Sequence, residues 1–584
     1  MSKDIPFFIL KEVTVKDLVL VAVNAKYIHT NLAVRSLKAQ LPDFKVEIVE
    51  LSINDSIHRI VEHLLATDGK LFGFSCYIWN MELMLKITEL LKKSKPEARI
   101  ILGGPEVSFD SKEILNTTPW IDFIIAGEGE TSLKKLLLSI DDESSLNKIP
   151  GLWFRNNQDC VASGPPEIPM DLNALTFPYV SDELLALKNK IIYYETMRGC
   201  PYRCSYCLSS ANQGVRTLSL ERVFKEIDFF IALEMKQVKL VDRTFNFDMK
   251  RAKAIFSYII ARGGNTNFHF EMTGDLLDDE LVALLKEAAP GLIQLEIGVQ
   301  STDSTTLQAI DRKTDLTRLE VNVKSILDSE NIHLHLDLIA GLPYESYAIF
   351  KTSFNRTIAL KPDMLQLGFL KCLKGTRIRD EGDLHQYTYT SFPPYEVISN
   401  AYISSQELYR LRNIEILVDR FYNSDGFRHS LGYLFEQDIF TSPFDFFESF
   451  SDYWTTQGYF DIGKSKEQLY AILLDFLKPF SGDGMVQELI KFDYLKQGNS
   501  HIPCFFEDTS PEKEWIFEFL KDVENVAAYL PEFIGIPAKK IFTQVKFQRF
   551  ASNFSSYLNS SDSSPEKKPS LGVFHNGQFK FITA

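Results

Sequence analysis

The chain is short of cysteine, of long apolar runs and of positive charge, and each shortage removes a class of protein. Its 584 residues hold seven cysteines, an odd and sparse number unlike the disulfide framework of a secreted domain. No apolar stretch reaches the roughly 20 residues that a membrane span needs. The opening Met1-Ser2-Lys3-Asp4-Ile5-Pro6 lacks the charged, apolar and small-residue succession of a signal peptide. A cytoplasmic location is therefore expected. Asp and Glu outnumber Lys and Arg by 78 to 63, a net charge of -15, which argues against nucleic acid as a partner. Hydrophobic and charged fractions of 45% and 24% are those of a globular protein. At this length one core does not suffice, and three or four domains are expected.

Three of the cysteines stand together in Met197-Arg198-Gly199-Cys200-Pro201-Tyr202-Arg203-Cys204-Ser205-Tyr206-Cys207, at C-x3-C-x2-C spacing. Cysteine thiolates hold iron–sulfur clusters, four of them for a complete [4Fe–4S] cube. Three closely spaced ligands leave one iron free to bind a small molecule. A zinc site wants four N or S ligands, commonly in paired halves. The remaining Cys76, Cys160, Cys372 and Cys504 have no partner cysteine nearby. The loop resembles that of the radical S-adenosylmethionine (radical SAM) enzymes, C-x3-C-x-aromatic-C, with Tyr206 as the aromatic residue. The resemblance implies that Cys200, Cys204 and Cys207 hold a [4Fe–4S] cluster whose open iron chelates SAM. One electron, from an external donor such as flavodoxin or ferredoxin, then cleaves SAM to a 5′-deoxyadenosyl radical.

Residues 15–140 read as a first domain. Apolar runs at 18–23, 46–49, 71–75, 100–102 and 123–126 alternate with helical patterns, such as Leu83, Ile87, Leu90 and Leu91 on one face of 81–93. Strand alternating with helix predicts a doubly wound parallel sheet of the flavodoxin-like kind. Polar or glycine-rich stretches follow every strand, which gathers them at the carboxyl edge where such sheets bind ligands. The pieces Asn24-Ala25-Lys26-Tyr27-Ile28-His29, Ser75-Cys76-Tyr77-Ile78-Trp79-Asn80, Gly103-Gly104-Pro105-Glu106-Val107-Ser108 and Gly127-Glu128-Gly129-Glu130 resemble the cobalamin-binding domain of one large class of radical SAM enzymes. The resemblance implies that cobalamin lies against Asn24, Tyr27, Ser75, Tyr77, Trp79, Gly103, Gly104, Glu106, Gly127 and Gly129. The D-x-H-x-x-G signature, whose histidine ligates cobalt elsewhere, is absent. His29 is then expected as a turn or helix-start residue, with no protein histidine on cobalt.

Residues 141–187 read as a connector, punctuated by Pro150-Gly151, Gly164-Pro165-Pro166 and Phe177-Pro178. Residues 188–400 then carry apolar strands at 191–195, 238–241, 268–272, 292–299, 332–338 and 364–370, separated by helical patterns. Six βα units make the partial (β/α)6 barrel of the radical SAM fold, with functional groups expected at the strands' carboxyl ends. Tyr194, Glu271, Gln300, Arg312 and Asp337 match in type and order the SAM contacts of the oxygen-independent coproporphyrinogen dehydrogenases, which this stretch resembles. That resemblance implies that they bind SAM, beside Tyr206. The Gly-Gly-Thr of those enzymes is replaced by Asp242-Arg243-Thr244. A structural ion pair between Glu271 and Arg312 is the alternative.

Residues 401–584 change to longer helical patterns, as at 402–417 and 465–477, and predict a mainly helical C-terminal domain of unknown role. The aromatic run containing Phe440, Phe444, Phe446, Phe447, Phe450, Tyr453, Trp454 and Tyr459 reads first as a helical core, second as a flat wall for a large planar substrate. Residues 560–569 read as a mobile loop, and 571–582 as a hairpin turning at Asn576-Gly577. The whole is similar to an uncharacterised branch of cobalamin-dependent radical SAM proteins that resemble the anaerobic magnesium-protoporphyrin ester cyclase. The function expected first is methyl transfer from methylcobalamin to an unactivated carbon of an unknown small molecule. Oxidative cyclisation or rearrangement of a planar, tetrapyrrole-like substrate and a non-catalytic corrinoid-binding or redox-sensing role are the alternatives. A tRNA methylthiotransferase would carry further N-terminal cluster cysteines, and only Cys76 lies there.

Overall fold

A computed structural model describes residues 17–156, 159–210, 214–437, 439–480, 484–499, 501–559 and 565–582. The chain forms two compact units, one made of residues up to 353 with 360–362 and 367–405, the other of 354–359, 363–366 and the rest from 406. Among the described residues no helix is long and apolar enough to cross a membrane.

The first unit opens with strands β1 (Leu18–Asn24), β2 (Val46–Ser52), β3 (Leu71–Ser75), β4 (Arg99–Gly103) and β5 (Phe123–Ile125). They pair in parallel in the order β2-β1-β3-β4-β5. All seven residues of β1 are buried, because a central parallel strand is covered on both faces. Val19, Val21 and Val23 pack on one side with Ile60, Leu64, Met84 and Leu91. Leu18, Leu20 and Ala22 pack on the other with Val34, Leu133 and Leu136. Within the connector stretch, β6 (Leu152–Asn156) and β7 (Asp159–Ala162) add an antiparallel hairpin to the sheet beyond β5. The hairpin covers the edge that the three-residue β5 would otherwise leave open.

The second sheet of this unit contains β8 (Ile191–Tyr194), β9 (Gln237–Leu240), β10 (Asn267–Met272), β11 (Ile293–Gln300) and β12 (His333–Ala340), all parallel to their neighbours and taken in chain order. The sheet ends at β13 (Met364–Phe369). Sequential neighbours joined through helices are the topology of an open βα barrel.

The second unit is mainly helical, with Arg428–Glu436, Pro443–Thr456, Lys466–Leu477 and Met485–Lys496 among its helices. Phe444, Phe446, Phe447, Phe450 and Trp454 are fully buried there, so these members of the aromatic run pack the interior of the unit rather than a surface wall. β14 (Lys546–Phe550), β15 (Ser570–His575) and β16 (Gln578–Ile582) form an antiparallel sheet. The β15–β16 turn has Asn576 at φ 45° and Gly577 at φ 81°, the two positive values a type I′ hairpin requires. Of the stretch expected as a loop, 560–564 lie outside the described residues, and Glu566 bridges to Asn553.

Candidate functional site

The carboxyl ends of both sheets in the first unit open onto one cavity of about 1050 Å³, as large as the biggest ordinary small-molecule pockets. Asn24, Ser75 and Gly103, the last residues of β1, β3 and β4, line it together with Tyr77, Trp79, Gly104, Gly127 and Gly129 from the following turns. The rings of Tyr77 and Trp79 stack with centroids 4.5 Å apart and planes 6° from parallel. Trp79 is 42% exposed, so the pair presents a flat aromatic platform. Gly104 has φ 114°, and a Cβ there would lie 2.5 Å from the Cys76 carbonyl oxygen; only glycine lets the chain pass so close. Tyr27 and Glu106 are placed elsewhere. Tyr27 is exposed beneath the Lys190 ammonium, whereas Glu106 is buried and accepts from the Tyr395 hydroxyl at 2.8 Å.

The opposite side of the cavity comes from the second sheet: Tyr193, Glu195, Arg198, Lys239, Arg243 and Glu271. His29 lies on the wall with its Nδ1 hydrogen-bonded to the Tyr193 hydroxyl. Burial, then the charges of Lys26 and Lys239, push its pKa down and favour the neutral ring. Pro165, Pro166 and Ile168 of the connector also line the cavity, a contribution that turn punctuation did not signal.

The cysteine loop leaves β8 beside this wall. Met197–Arg198 pairs with Arg216–Thr217 across the loop's base. Gly199, at φ 98°, passes so close that a Cβ would fall 2.1 Å from the Gly214 carbonyl oxygen. Ser205 donates its N–H to the Ile310 carbonyl at 3.0 Å, and its own carbonyl accepts from Ile378 at 3.0 Å. Cys200, Cys204 and Cys207 are all free thiols. Cys200 Sγ lies 3.5 Å from Thr244 Oγ1, which is the threonine of Asp242-Arg243-Thr244. Burial pushes the Cys204 thiol up, Arg312 opposes this, and the neighbouring Cys207 and Cys200 add to it. Three free thiols on one anchored loop fit a three-ligand iron–sulfur cluster.

Beyond the loop, Arg312 donates to the Gly298 carbonyl, and its charge acts on Tyr206 and Cys204. The pairing of β11 with β12 shifts register between Gly298 and Gln300, and Gln300 takes the left-handed φ of 69°. A Cβ at Gly298 would lie 2.0 Å from Gln300 Nε2, so this bulge re-aims Gln300 over the glycine. Asp337, the register partner of Gly298, is half-buried, with its Oδ1 atom buried and unpartnered, as is Arg312 Nε. Burial and the charges of Glu296 and Glu271 push the Asp337 carboxyl well above the usual carboxylate range. Unpartnered buried polar atoms are what an absent polar ligand leaves behind, and they fit SAM. Glu271 has Lys239 at 3.6 Å and Arg243 at 3.7 Å as its cations, whereas Arg312 is used by Gly298. Tyr194 is turned away from the cavity, its hydroxyl donating to Glu226 at 2.6 Å.

Alternation along the barrel strands puts a second polar layer on the same face. Lys239, His269, Glu296 and His335 stand at adjacent positions of β9 to β12, with Glu296 in register with both Glu271 and His335. Lys239 Nζ donates to Glu296 Oε2 at 2.9 Å. Burial raises the Glu296 carboxyl, but the adjacent His269 imidazole and the charge of Lys239 bring it down to about 2. Burial, then His333 and His269, push His335 down to about 3, so its ring is neutral. Composition and local motifs pointed only at strand ends; the period-2 spacing of His269 with Glu271, Gln294 with Glu296 and His335 with Asp337 was the available signal for this layer.

Residues 18–137 match the family model described as B12 binding domain, and residues 194–356 match Radical SAM superfamily. Residues 383–571 match a protein of unknown function, DUF4080. The 2-(S-pantetheinyl)-carbapenam-3-carboxylate methyltransferase of Streptantibioticus cattleyicolor is 29% identical over 302 residues, 49% of this chain and 44% of that one. The cobalamin-dependent radical SAM methyltransferase TokK of Streptomyces tokunonensis is 27% identical over 297 residues, 48% of this chain and 43% of that one. The matched stretch thus spans less than half of either relative. In fold the chain is similar to the cobalamin-dependent S-adenosylmethionine radical enzyme OxsB, solved with aqua-cobalamin and S-adenosylmethionine bound. The TM-score is 0.58 at 15% identity, over 82% of this chain and 78% of that one. The chain carries a B12-binding domain ahead of a radical SAM domain, the pair of domains whose cofactors are cobalamin, a [4Fe–4S] cluster and S-adenosylmethionine.

Proposed function

We propose that the chain transfers a methyl group to an unactivated carbon of a small molecule, with residues 15–140 holding cobalamin and residues 188–400 holding the cluster and SAM. The observation that carries the reading is the cavity the two domains share. The strand-end loops of the B12-binding domain and barrel side chains on the cysteine-loop side line the same space, so two cofactors can face one substrate. When bound, the cluster with SAM supplies a hydrogen-abstracting 5′-deoxyadenosyl radical, and methylcobalamin supplies the methyl group; the protein orients them.

The chain's own residues have defined tasks in this reading. Asn24, Ser75, Gly103, Gly104, Gly127 and Gly129 give backbone and short side chains to a large ligand, and the Tyr77–Trp79 platform matches a flat macrocycle. His29 stays on Tyr193 and does not ligate cobalt. Cys200, Cys204 and Cys207 bind the cluster. Asp337 and Gln300 accept from or donate to the ribose and methionyl groups of SAM, and Arg312, beside Cys204, offers a cation to its carboxylate. The electron comes from an external donor such as flavodoxin or ferredoxin in a reducing, cytoplasmic setting.

The test is anaerobic reconstitution with cobalamin, reductant and SAM carrying a labelled methyl group, followed by mass spectrometry of cell extract. A product that gains one labelled methyl, formed together with 5′-deoxyadenosine, is expected. Deoxyadenosine formed with a product that gains no methyl, as in oxidative ring closure, would overturn methyl transfer.

A further inference from the structure

The barrel layer below the cavity holds a donor set that the two cofactor sites do not use. His269 of β10, Glu296 of β11 and His335 of β12 offer ligand atoms that all lie within 4.8 Å of one another. Two are nearly buried and the carboxylate is half-buried. His269 Nε2 is 3.1 Å from Glu296 Oε2, yet it makes no hydrogen bond of good geometry. Gln294 Nε2 lies 2.9 Å from His335 Nε2, and this amide contact fixes the orientation of the ring. Three adjacent strands supply the three groups, so their spacing is set by the sheet and not by a loop.

We propose that His269, Glu296 and His335 bind a divalent transition ion of the zinc class, held by two imidazole nitrogens and one carboxylate with a fourth position open. Two histidines with one carboxylate is a donor set that zinc takes in catalytic sites, where three protein ligands leave a place for water or substrate oxygen. Calcium and magnesium are disfavoured, because they prefer all-oxygen shells.

Lys239 is the competitor. Its ammonium now sits 2.9 Å from Glu296 and 3.6 Å from Glu271. An ion entering at Glu296 displaces the ammonium toward Glu271, which lines the cavity. Binding in the lower layer thereby alters the charge presented to whatever occupies the cavity. If the layer is a self-sufficient ion-pair network instead, Lys239 keeps Glu296 and no metal enters.

Elemental analysis separates the three metal sites, because iron reports the cluster, cobalt the cobalamin and zinc the new site. The full chain, reconstituted with cluster and cobalamin, is stripped with a chelator, loaded with Zn2+ and gel-filtered. One zinc per chain is expected with iron and cobalt unchanged. Outer partners alone are worth about 10–100-fold in metal affinity, so His269→Ala, His335→Ala and the near-isosteric Glu296→Gln should each weaken zinc binding at least tenfold while retaining cobalt. Lack of zinc in the unsubstituted protein, or retention equal to it in all three variants, would overturn the proposal. Should the variants fail to fold, X-ray absorption at the zinc edge of the unsubstituted protein decides. Imidazole scattering with no sulfur is the expected spectrum; sulfur neighbours would place the zinc on cysteine and sink the idea.

Discussion

Arg198 holds Glu128 at 2.7 Å and Glu130 at 2.9 Å, which ties the residue two before Cys200 to the Gly-Glu-Gly-Glu turn of the B12-binding domain. Glu195, three residues back, adds a third carboxylate at 2.8 Å, and Arg216 donates to Glu128 as well. These groups are largely buried, so the cluster loop and the turn lining the cavity form one charged unit. Removing one member strands the others, at about 3–5 kcal/mol for a buried pair. Arg198→Ala should therefore lower the denaturation midpoint substantially. A double-mutant cycle with Glu128→Gln isolates the contact, and a coupling under about 0.5 kcal/mol would mean that the two residues act independently.

The cysteine triad has a direct reading in iron. Replacement of Cys200, Cys204 and Cys207 together by Ala should abolish iron retention after reconstitution while leaving cobalamin bound to the other sheet. Iron that stays near four atoms per chain would require ligands outside this loop.

The parts legible from residue pattern alone were those set by local rules. Apolar runs marked the strands of both sheets, and Asn576-Gly577 marked its hairpin, because positive φ is a demand on two neighbouring residues. The β6–β7 hairpin was missed, since Leu152 and Phe154 alternate over only five residues between proline and glycine breaks. The Arg198 network was invisible for another reason. Its partners lie 68 and 70 positions away, and pairing across two sheets leaves no periodic trace. The strand-end rule gathered Asn24, Ser75, Tyr77 and Trp79 at one carboxyl edge, and in the structure they line the cavity together with Glu271; the same rule put Tyr27 and Glu106 there, but Tyr27 is exposed and Glu106 is taken by Tyr395. Tyr194 falls on the outer face of β8, opposite Tyr193, as alternation requires.

Glu345 provides a test by pH. Burial pushes its carboxyl up from 4.5 to about 8, although a hydrogen bond from Ser301 opposes this. Ser301 Oγ donates to one oxygen at 2.5 Å, and the other oxygen has no partner. The folded chain thus keeps a proton that the unfolded chain releases. This contribution is whole below about pH 4.5 and is lost as pH rises toward 8, with a slope of about 1.4 kcal/mol per pH unit between them. Glu345→Gln carries no ionisable proton and should show a shallower fall in melting temperature between pH 5.5 and 8, overtaking the parent at the alkaline end. Parallel pH profiles for the two proteins would show that Glu345 is ionised in the fold.

Asp337 separates a role in SAM binding from one in substrate binding. Its buried Oδ1 lacks a partner, and its register partner Gly298, at the bulge before Gln300, accepts from Arg312. A hydrogen bond with one charged partner is worth about 1.5–3 kcal/mol, which corresponds to roughly ten- to a hundredfold in affinity. Asp337→Ala should weaken SAM binding and lower 5′-deoxyadenosine yield by that factor, with iron and cobalt content unchanged. Glu271→Ala should act in the same direction if its carboxylate reaches SAM past Lys239 and Arg243. Both yields should be measured with and without cell extract. Loss of deoxyadenosine in both conditions assigns the residue to SAM. Loss of the methylated product alone, with uncoupled SAM cleavage intact, assigns it to substrate binding and refutes the SAM role.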